Sequence, residues 1–308
     1  MRRPVSRALA VAFVIVMLGP GLATPALAKT HPGGGGGKGA GALLAGTGVD
    51  VSYPQCGSSL PSGQAFGIVG VNGGLANDYN PCLASEWTYA STSTGSTKQA
   101  KAQTYLNTAD PGNGVADWPS PTNFGSYPGG TSTPSYGSCA YASGNSGAGA
   151  MSTACAYIYG YDMVVGGISD GTNGIVAGDV NDFHTATGAT LNVQPVWLDV
   201  ETGNSWQSGS LGLSMNTADL NGMVDALRAT NSSASVGVYS TSYQWNQITG
   251  TPTGTAAGNL AGLGDWVPGA STQSGAAGNC ALTTFTAGTI SVTQWTSGGL
   301  DYDYSCLG

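Results

Sequence analysis

Seven short runs of β-branched and aromatic residues recur along this chain and limit it to a fold built on a sheet. They are Gly48–Ser52, Phe66–Val71, Ala102–Asn107, Pro195–Val200, Ser235–Ser240, Asp265–Pro268 and Ile290–Trp295, with Leu282–Thr286 a weaker eighth. Each is short, bounded by turn residues, and rich in side chains that suit a pleated surface. Val69-Gly70-Val71 and Val236-Gly237-Val238-Tyr239 are nearly continuous in apolar character. Strands buried on both faces read this way, as in a parallel sheet. Between the earlier runs lie helical patterns. Leu220, Met223, Val224 and Leu227 stand at helical spacing within Thr217–Arg228, with Asn216 or Thr217 as N-cap. Met151–Val165 and Ile175–Thr187 read as two further helices. The later strands follow one another with little helix between them. The expected fold class is α/β: an irregular TIM-type (β/α) barrel of eight strands, with fewer helices in its C-terminal part, stapled by disulfides. An open doubly wound sheet is the alternative. The first strand ends in Asp50-Val51-Ser52-Tyr53-Pro54, however, with no Gly-x-Gly-x-x-Gly loop after it.

In such a barrel the site lies at the C-terminal ends of the strands. The fourth run, Pro195-Val196-Trp197-Leu198-Asp199-Val200-Glu201, ends in Asp-x-Glu. Residues two apart on a strand share a face, so Asp199 and Glu201 project together. Two neighbouring buried carboxyls disfavour each other's ionisation, so one should hold its proton near neutral pH. A protonated acid beside an ionised one is what cleavage of a glycosidic bond needs. Other polar residues fall at strand ends too: Asp50 in the first, Asn72 after the second, Asn107 and Asp110 after the third. Tyr239 ends the fifth, Trp266 lies in the sixth, and Gln294-Trp295 ends the last, with Asp301 and Asp303 beyond. The candidate catalytic set is Glu201, Asp199, Asp50 and Asp301. The candidate substrate-binding set is Tyr239, Trp266, Asn72, Asn107 and Gln294.

Residues 1–28 read as a signal peptide. Arg2, Arg3 and Arg7 precede an apolar run, Ala8–Leu18, and Ala26-Leu27-Ala28 fits the small-x-small cleavage rule. The run is short for a membrane span, so no stable membrane insertion is expected. Losing three arginines takes the formal charge from -8 to -11. A chain this acidic lacks the Lys and Arg that nucleic-acid phosphates require. Residues 29–47 are a Gly-rich flexible linker. Residues 48–308 are then a single barrel domain, and a secreted monomer is expected. The Gly/Ser-rich stretch Gly112–Gly149 reads as a long surface loop, unusual enough to suggest a role.

Six cysteines in a secreted chain imply three disulfides. Fifteen connectivities are open, of which neighbour pairing is the simplest: Cys56–Cys82, Cys139–Cys155 and Cys280–Cys306. No Cys-x-x-Cys is present and His31 and His184 are the only histidines, so neither a metal nor a cofactor is expected. With His184 the only histidine in the domain and no adjacent support for it, a serine triad is not expected.

Gly48-Val49-Asp50-Val51-Ser52, Leu198-Asp199-Val200-Glu201, Thr293-Gln294-Trp295-Thr296 and Leu300-Asp301-Tyr302-Asp303 stand in order along the chain. Together they resemble the signposts of glycoside hydrolase family 25, the lysozyme-type muramidases, and more closely its actinobacterial secreted branch. The resemblance implies a peptidoglycan substrate and cleavage of the β-1,4 bond after N-acetylmuramic acid. It implies Glu201 as general acid/base and Asp199 as a group that orients the substrate acetamido group or stabilises the oxocarbenium-like transition state. Asp50 and Asp301 would complete an acidic floor, and Tyr239 and Trp266 would line the sugar groove. Two family motifs are missing. Val71-Asn72-Gly73-Gly74 replaces the usual Lys-Ala-Thr-Glu-Gly, and Tyr105-Leu106-Asn107 replaces Tyr-His-Phe. The alternatives are a catalytically silent barrel that binds glycan or protein, and a chitinase-like N-acetylglucosaminidase.

Overall fold

The computed structural model describes residues 46–76, 78–120, 122–140, 148–169 and 176–308. The expected signal segment, and the expected linker before Gly46, lie outside the described residues. So do part of the 112–149 stretch and the start of the helix expected from Ile175.

Strands and helices alternate along the chain. β1 (Thr47–Val51) and β2 (Phe66–Gly70) lead to α1 (Leu83–Ser91), and β3 (Ala102–Asn107) follows. A small ribbon, β4 (Ser132–Thr133) with β5 (Gly137–Ser138), precedes α2 (Thr153–Val165) and α3 (Asp179–Thr187). Then come β6 (Val196–Asp199), α4 (Gly209–Thr230), β7 (Val236–Tyr239) and α5 (Ser242–Thr249). The chain ends with β8 (Gly264–Ala270), α6 (Gln273–Asn279), β9 (Ile290–Ser297) and β10 (Leu300–Ser305). Eight strands close into a barrel in the order β1-β10-β9-β8-β7-β6-β3-β2. All neighbours are parallel except β10, which runs antiparallel to both β1 and β9. The β9–β10 turn is two residues long, and Gly298 and Gly299 both have positive φ (61° and 82°). Positive φ at both positions is what a type I′ hairpin turn, one of the two that match strand twist, requires.

The expected fold class is found, with one strand misplaced. Leu282–Thr286 is loop, not strand. It is clasped instead by Asp265, whose carboxylate accepts from Phe285 N at 2.8 Å and Thr286 Oγ1 at 2.6 Å. The eighth strand is Leu300–Ser305. Its strict alternation of acid and aromatic points Asp301 and Asp303 to one face. α4 starts earlier than the apolar spacing indicates, behind Ser208. Asn216 is therefore no cap: it sits mid-helix and donates to Gln207 O and Ile248 O.

Period-two alternation decides what fills the barrel. Phe66, Ile68, Trp197, Trp266 and Val292 form an inner cluster, flanked by Tyr105 and Tyr239. These rings fit because their neighbours are glycines. A Cβ on Gly48 would lie 2.4 Å from the Phe66 ring, and one on Gly237 would lie 2.2 Å from Trp197. Gly237→Ala is thus expected to cost about 1–3 kcal/mol through overpacking. Urea unfolding measures this, and an unchanged midpoint would mean the Trp197 ring yields freely. Outside the barrel, α2 and α4 cross closely at Gly160 and Gly222, where an added Cβ would strike backbone carbonyls at 2.1 and 2.0 Å.

The three disulfides are Cys56–Cys82, Cys139–Cys155 and Cys280–Cys306. Cys139–Cys155 ties the 112–149 stretch to α2. That stretch also docks through aromatic rings: Trp118 stacks on Tyr159 (5.4 Å), and Tyr127 meets Tyr157 and Tyr161 edge-on (5.7 and 5.0 Å). Its cystine closes 16 residues, and a loop of that size contributes about 3 kcal/mol by restricting the unfolded chain. Cys139→Ser with Cys155→Ser should lower stability by about that amount in denaturant titration. A loss below about 1 kcal/mol would show that ring packing alone holds the segment.

Candidate active site

The strand that carries Asp-x-Glu is held beyond the end of its ladder. β6 pairs with β3 on one side and β7 on the other, aligning Asn107, Asp199, Tyr239 and Trp266 across four strands. Past Asp199 the backbone carbonyls need other partners. Thr108 Oγ1 donates to Asp199 O (2.6 Å), Ser240 Oγ to Val200 O (2.8 Å) and Trp206 Nε1 to Glu201 O (2.8 Å). The next amide, Thr202 N, donates to Gln244 Oε1 at 2.7 Å. Four side chains therefore fix the backbone on either side of Glu201: Thr108 after β3, Ser240 and Gln244 after β7, and Trp206 in the following loop.

Exposure separates the two carboxyls. Asp199 is 7% exposed, while Glu201 is half-buried. Burial first, then the charges of Glu201 and Asp50, push the Asp199 carboxyl well above the usual aspartate range. Its Oδ1 has no hydrogen-bond partner. Asp199 is thus the member of the pair placed to keep its proton, with Glu201 above it at the surface.

The opposite wall comes from β1, β9 and β10. Asp50 and Asp301 face each other in register and are half-buried. Gln294 Nε2 donates to Asp50 Oδ2 at 3.0 Å, and Tyr239 OH donates to Gln294 Oε1 at 3.1 Å. Asp301 Oδ1 accepts from Thr296 Oγ1 at 2.8 Å. Beneath lies Asp303, with no exposed surface, accepting from Trp266 Nε1 at 2.9 Å. Burial, then the charges of Asp50 and Asp301, raise its pKa strongly. The phenol of Tyr239 is raised by burial first and then by Glu201, Asp199, Asp50 and Asp301. One ring that feels all four carboxyls puts them around a single mouth.

The remaining sequence candidates lie deeper. Trp266 is 2% exposed, its ring 4.5 Å from that of Tyr239, so it floors the mouth and does not wall a groove. Asn72 is consumed by the scaffold. Its amide donates to Asp179 Oδ1 (2.7 Å) and Ala76 O (3.0 Å), and its Oδ1 accepts from Asn107 N (2.7 Å). The Asn107 side-chain nitrogen, by contrast, has no partner beside Asp199. Sequence reasoning passed over Trp206 and Gln244, and it named Asp303 without placing it in the catalytic set. Thr241-x-x-Gln244 had the form of a helix-start signal, and Thr241 does cap α5. Nothing in the sequence announced that Gln244 would turn to Thr202.

Among the described residues, one trio could bring metal ligands together: Cys56, Cys82 and Glu86. Its two sulfurs are joined as cystine, which removes the thiolates a metal would need. No helix among the described residues is long and apolar enough to cross a membrane.

Comparison with known proteins gives three findings. Residues 180–260, which run from α3 through β6, α4, β7 and α5 and include Asp199 and Glu201, match the family model for lysozyme-like protein 1. No curated protein matches the chain. Among solved structures it is similar to the bacterial lysozyme from Streptomyces coelicolor, at 17% identity and TM-score 0.41, covering 85% of this chain and 92% of that one. It is similar also to a muramidase from Acremonium alcalophilum, at 12% identity and TM-score 0.40, covering 84% and 92%.

Proposed function

We propose that this protein is a secreted glycoside hydrolase that cleaves the β-1,4 bonds of peptidoglycan. The observation that carries the reading is the set of five carboxyls around one barrel mouth, graded from buried to accessible. The match of residues 180–260 to a lysozyme-like family supports the same reaction class. Glu201, accessible and fixed through its backbone, protonates the leaving oxygen and then activates water. Asp199, buried and proton-bearing, offers a hydrogen-bond donor, not a charge. That suits holding the acetamido carbonyl of an N-acetyl sugar. The unpartnered amide of Asn107 adds a second donor beside it. Asp50 and Asp301 supply negative charge at the mouth, which stabilises an oxocarbenium-like transition state. Gln294 and Tyr239 hold Asp50 in place. An acidic mouth also suits a substrate that carries no phosphate.

The test is incubation of the oxidised protein with purified peptidoglycan, with new reducing ends identified by mass spectrometry. Muramic acid at the new ends supports the proposal. N-acetylglucosamine ends, or cleavage of chitin alone, would make it a chitinase-like enzyme. No product from a folded protein would reduce the barrel to a binding module.

A further inference from the structure

We infer that the indole of Trp206 is a sugar platform, which takes the apolar face of the uncharged pyranose ring on the leaving-group side of Glu201. Its N–H donates to Glu201 O at 2.8 Å, so the ring stands one hydrogen bond from the backbone of the acid. Of the seven tryptophans in the chain, Trp118, Trp197, Trp245, Trp266 and Trp295 are buried. Trp87 and Trp206 are half-buried. Trp87 lies on α1 and is taken up against Phe183, with ring centroids 4.9 Å apart. Trp206 packs in part on the core, and the rest of its ring is open beside the mouth. Trp266, the expected sugar contact, lies too deep to offer such a surface.

The ring is fixed from both sides. Before it, Ser205 O accepts from Asp110 N at 2.9 Å. After it, Gln207 N donates to Asn216 Oδ1 at 3.0 Å and Gln207 Nε2 to Asp110 O at 2.9 Å. With the indole N–H held as well, little protein ordering remains to be paid when a ligand arrives. A pyranose presents C–H groups on one face and hydroxyls at its edge, and a tryptophan face offers flat apolar area to the former. The chain carries no charged residue from Thr202 to Ala218, nor from Ser240 to Gly264. The wall beyond Glu201 is therefore polar and apolar but uncharged, which suits a neutral sugar and gives an ionic ligand nothing to pair with.

The direction of β6 sets which sugar this is. A general acid must lie within hydrogen-bond reach of the leaving oxygen. Asp199, two residues nearer the barrel floor, holds the acetamido group of the sugar whose bond is cut. The leaving sugar then lies over Glu201 and against the segment that follows it, where Trp206 stands. On the peptidoglycan reading, that sugar is N-acetylglucosamine, which is neutral, while the muramic sugar across the bond carries the peptide. Only the naming of the sugar rests on that reading; the open indole in an uncharged wall does not.

Full-length oxidised protein should be titrated with a chitin tetramer, a wall-glycan tetrasaccharide and the free wall stem peptide, following tryptophan emission and, separately, the heat of binding. Either glycan is expected to shift the emission of the native protein, and the peptide is not. Trp206→Phe keeps a flat ring, so it should bind within about threefold of the native protein while its emission no longer shifts. Trp87→Phe should keep both the affinity and the shift. Trp206→Leu should bind about tenfold more weakly or worse, as for loss of much of a buried aromatic face. Where wall is cleaved, it should raise KM more than it lowers kcat. A glycan shift that survives in Trp206→Phe, or a Trp206→Leu protein that binds like the parent, would overturn the proposal. So would a shift caused by the stem peptide alone, or none with either glycan, and both are read on the native protein whether or not a variant folds. Lower kcat with unchanged KM in both Trp206 variants would reduce the ring to an anchor for Glu201. Because emission reports binding without turnover, a protein that cleaves no wall can still show the platform, and an active wall hydrolase can still lack it.

Discussion

Glu201→Gln is expected to leave the fold intact and to lower the rate of peptidoglycan cleavage by about 10²- to 10⁴-fold, the usual worth of a positioned acid/base. The fold should survive because Glu201 is half-buried at the mouth, and its backbone is held by Trp206, with Thr202 beside it held by Gln244; none of these contacts involves the replaced carboxylate. Asp199→Asn makes the informative contrast. A proton-bearing Asp199 is nearly isosteric with asparagine, whose amide N–H can donate from the place of the carboxyl O–H. Asp199→Asn should therefore keep at least about tenfold more activity than Glu201→Gln. Both variants should melt with the parent. Rates come from reducing-end release under substrate saturation. A Glu201→Gln protein within threefold of the parent would remove Glu201 from the mechanism, and an Asp199→Asn protein as dead as Glu201→Gln would assign Asp199 a required negative charge.

The contrast also shows what the sequence could and could not reveal. β3 was legible to the residue, because Ala102–Asn107 runs up to turn formers at Asp110-Pro111 and is buried at every position but Tyr105. The Asp-x-Glu step was legible because period two is a property of the backbone, whatever surrounds it. Which carboxyl would be buried was not, since that depends on Thr108 and Ser240 arriving from two other segments and on Trp206 folding back from the following loop. Leu300–Ser305 escaped as a strand because its inward face is acidic, the reverse of the usual pattern; only a barrel with Trp266 and Asp50 waiting inside accommodates Asp303. Leu282–Thr286 misled in the opposite sense. Its composition suits a strand, but Asp265 takes two of its donors and keeps it out of the ladder. α1, α5 and α6 lacked a clear apolar stripe, and their starts rest on single caps such as Thr272.

Stability should be greatest in acid and fall as pH rises from about 4 to about 8. The cause is a second population of buried acids, on the helical side of the barrel. Burial raises Asp162, on α2, to about 8, against the opposing pull of amide hydrogen bonds from Ser126 and Tyr127. Burial likewise raises Asp110 to about 7, opposed by the Gly112 amide. Asp219 is raised strongly by burial and then by the charge of Asp110, and neither of its carboxylate oxygens has a hydrogen-bond partner. In the unfolded chain each would titrate near 3.8. The folded state thus binds more protons than the unfolded state between those limits, so stability falls with pH. The contribution is complete below about 4 and is lost as pH passes each folded value. The slope is at most about 1.4 kcal/mol per pH unit for each group. Asp162→Asn is the sharp test. Gly125 approaches so closely that an added Cβ would lie 2.5 Å from the Asp162 carboxyl carbon, and ionisation there should loosen the 125–127 turn before the barrel opens. The neutral amide removes that titration, so the variant should lose less stability than the parent between pH 5 and pH 8. Urea midpoints across that range decide the matter. A parent whose midpoint stays flat or rises would mean these acids titrate normally, with water reaching them between α2 and the segment that covers it.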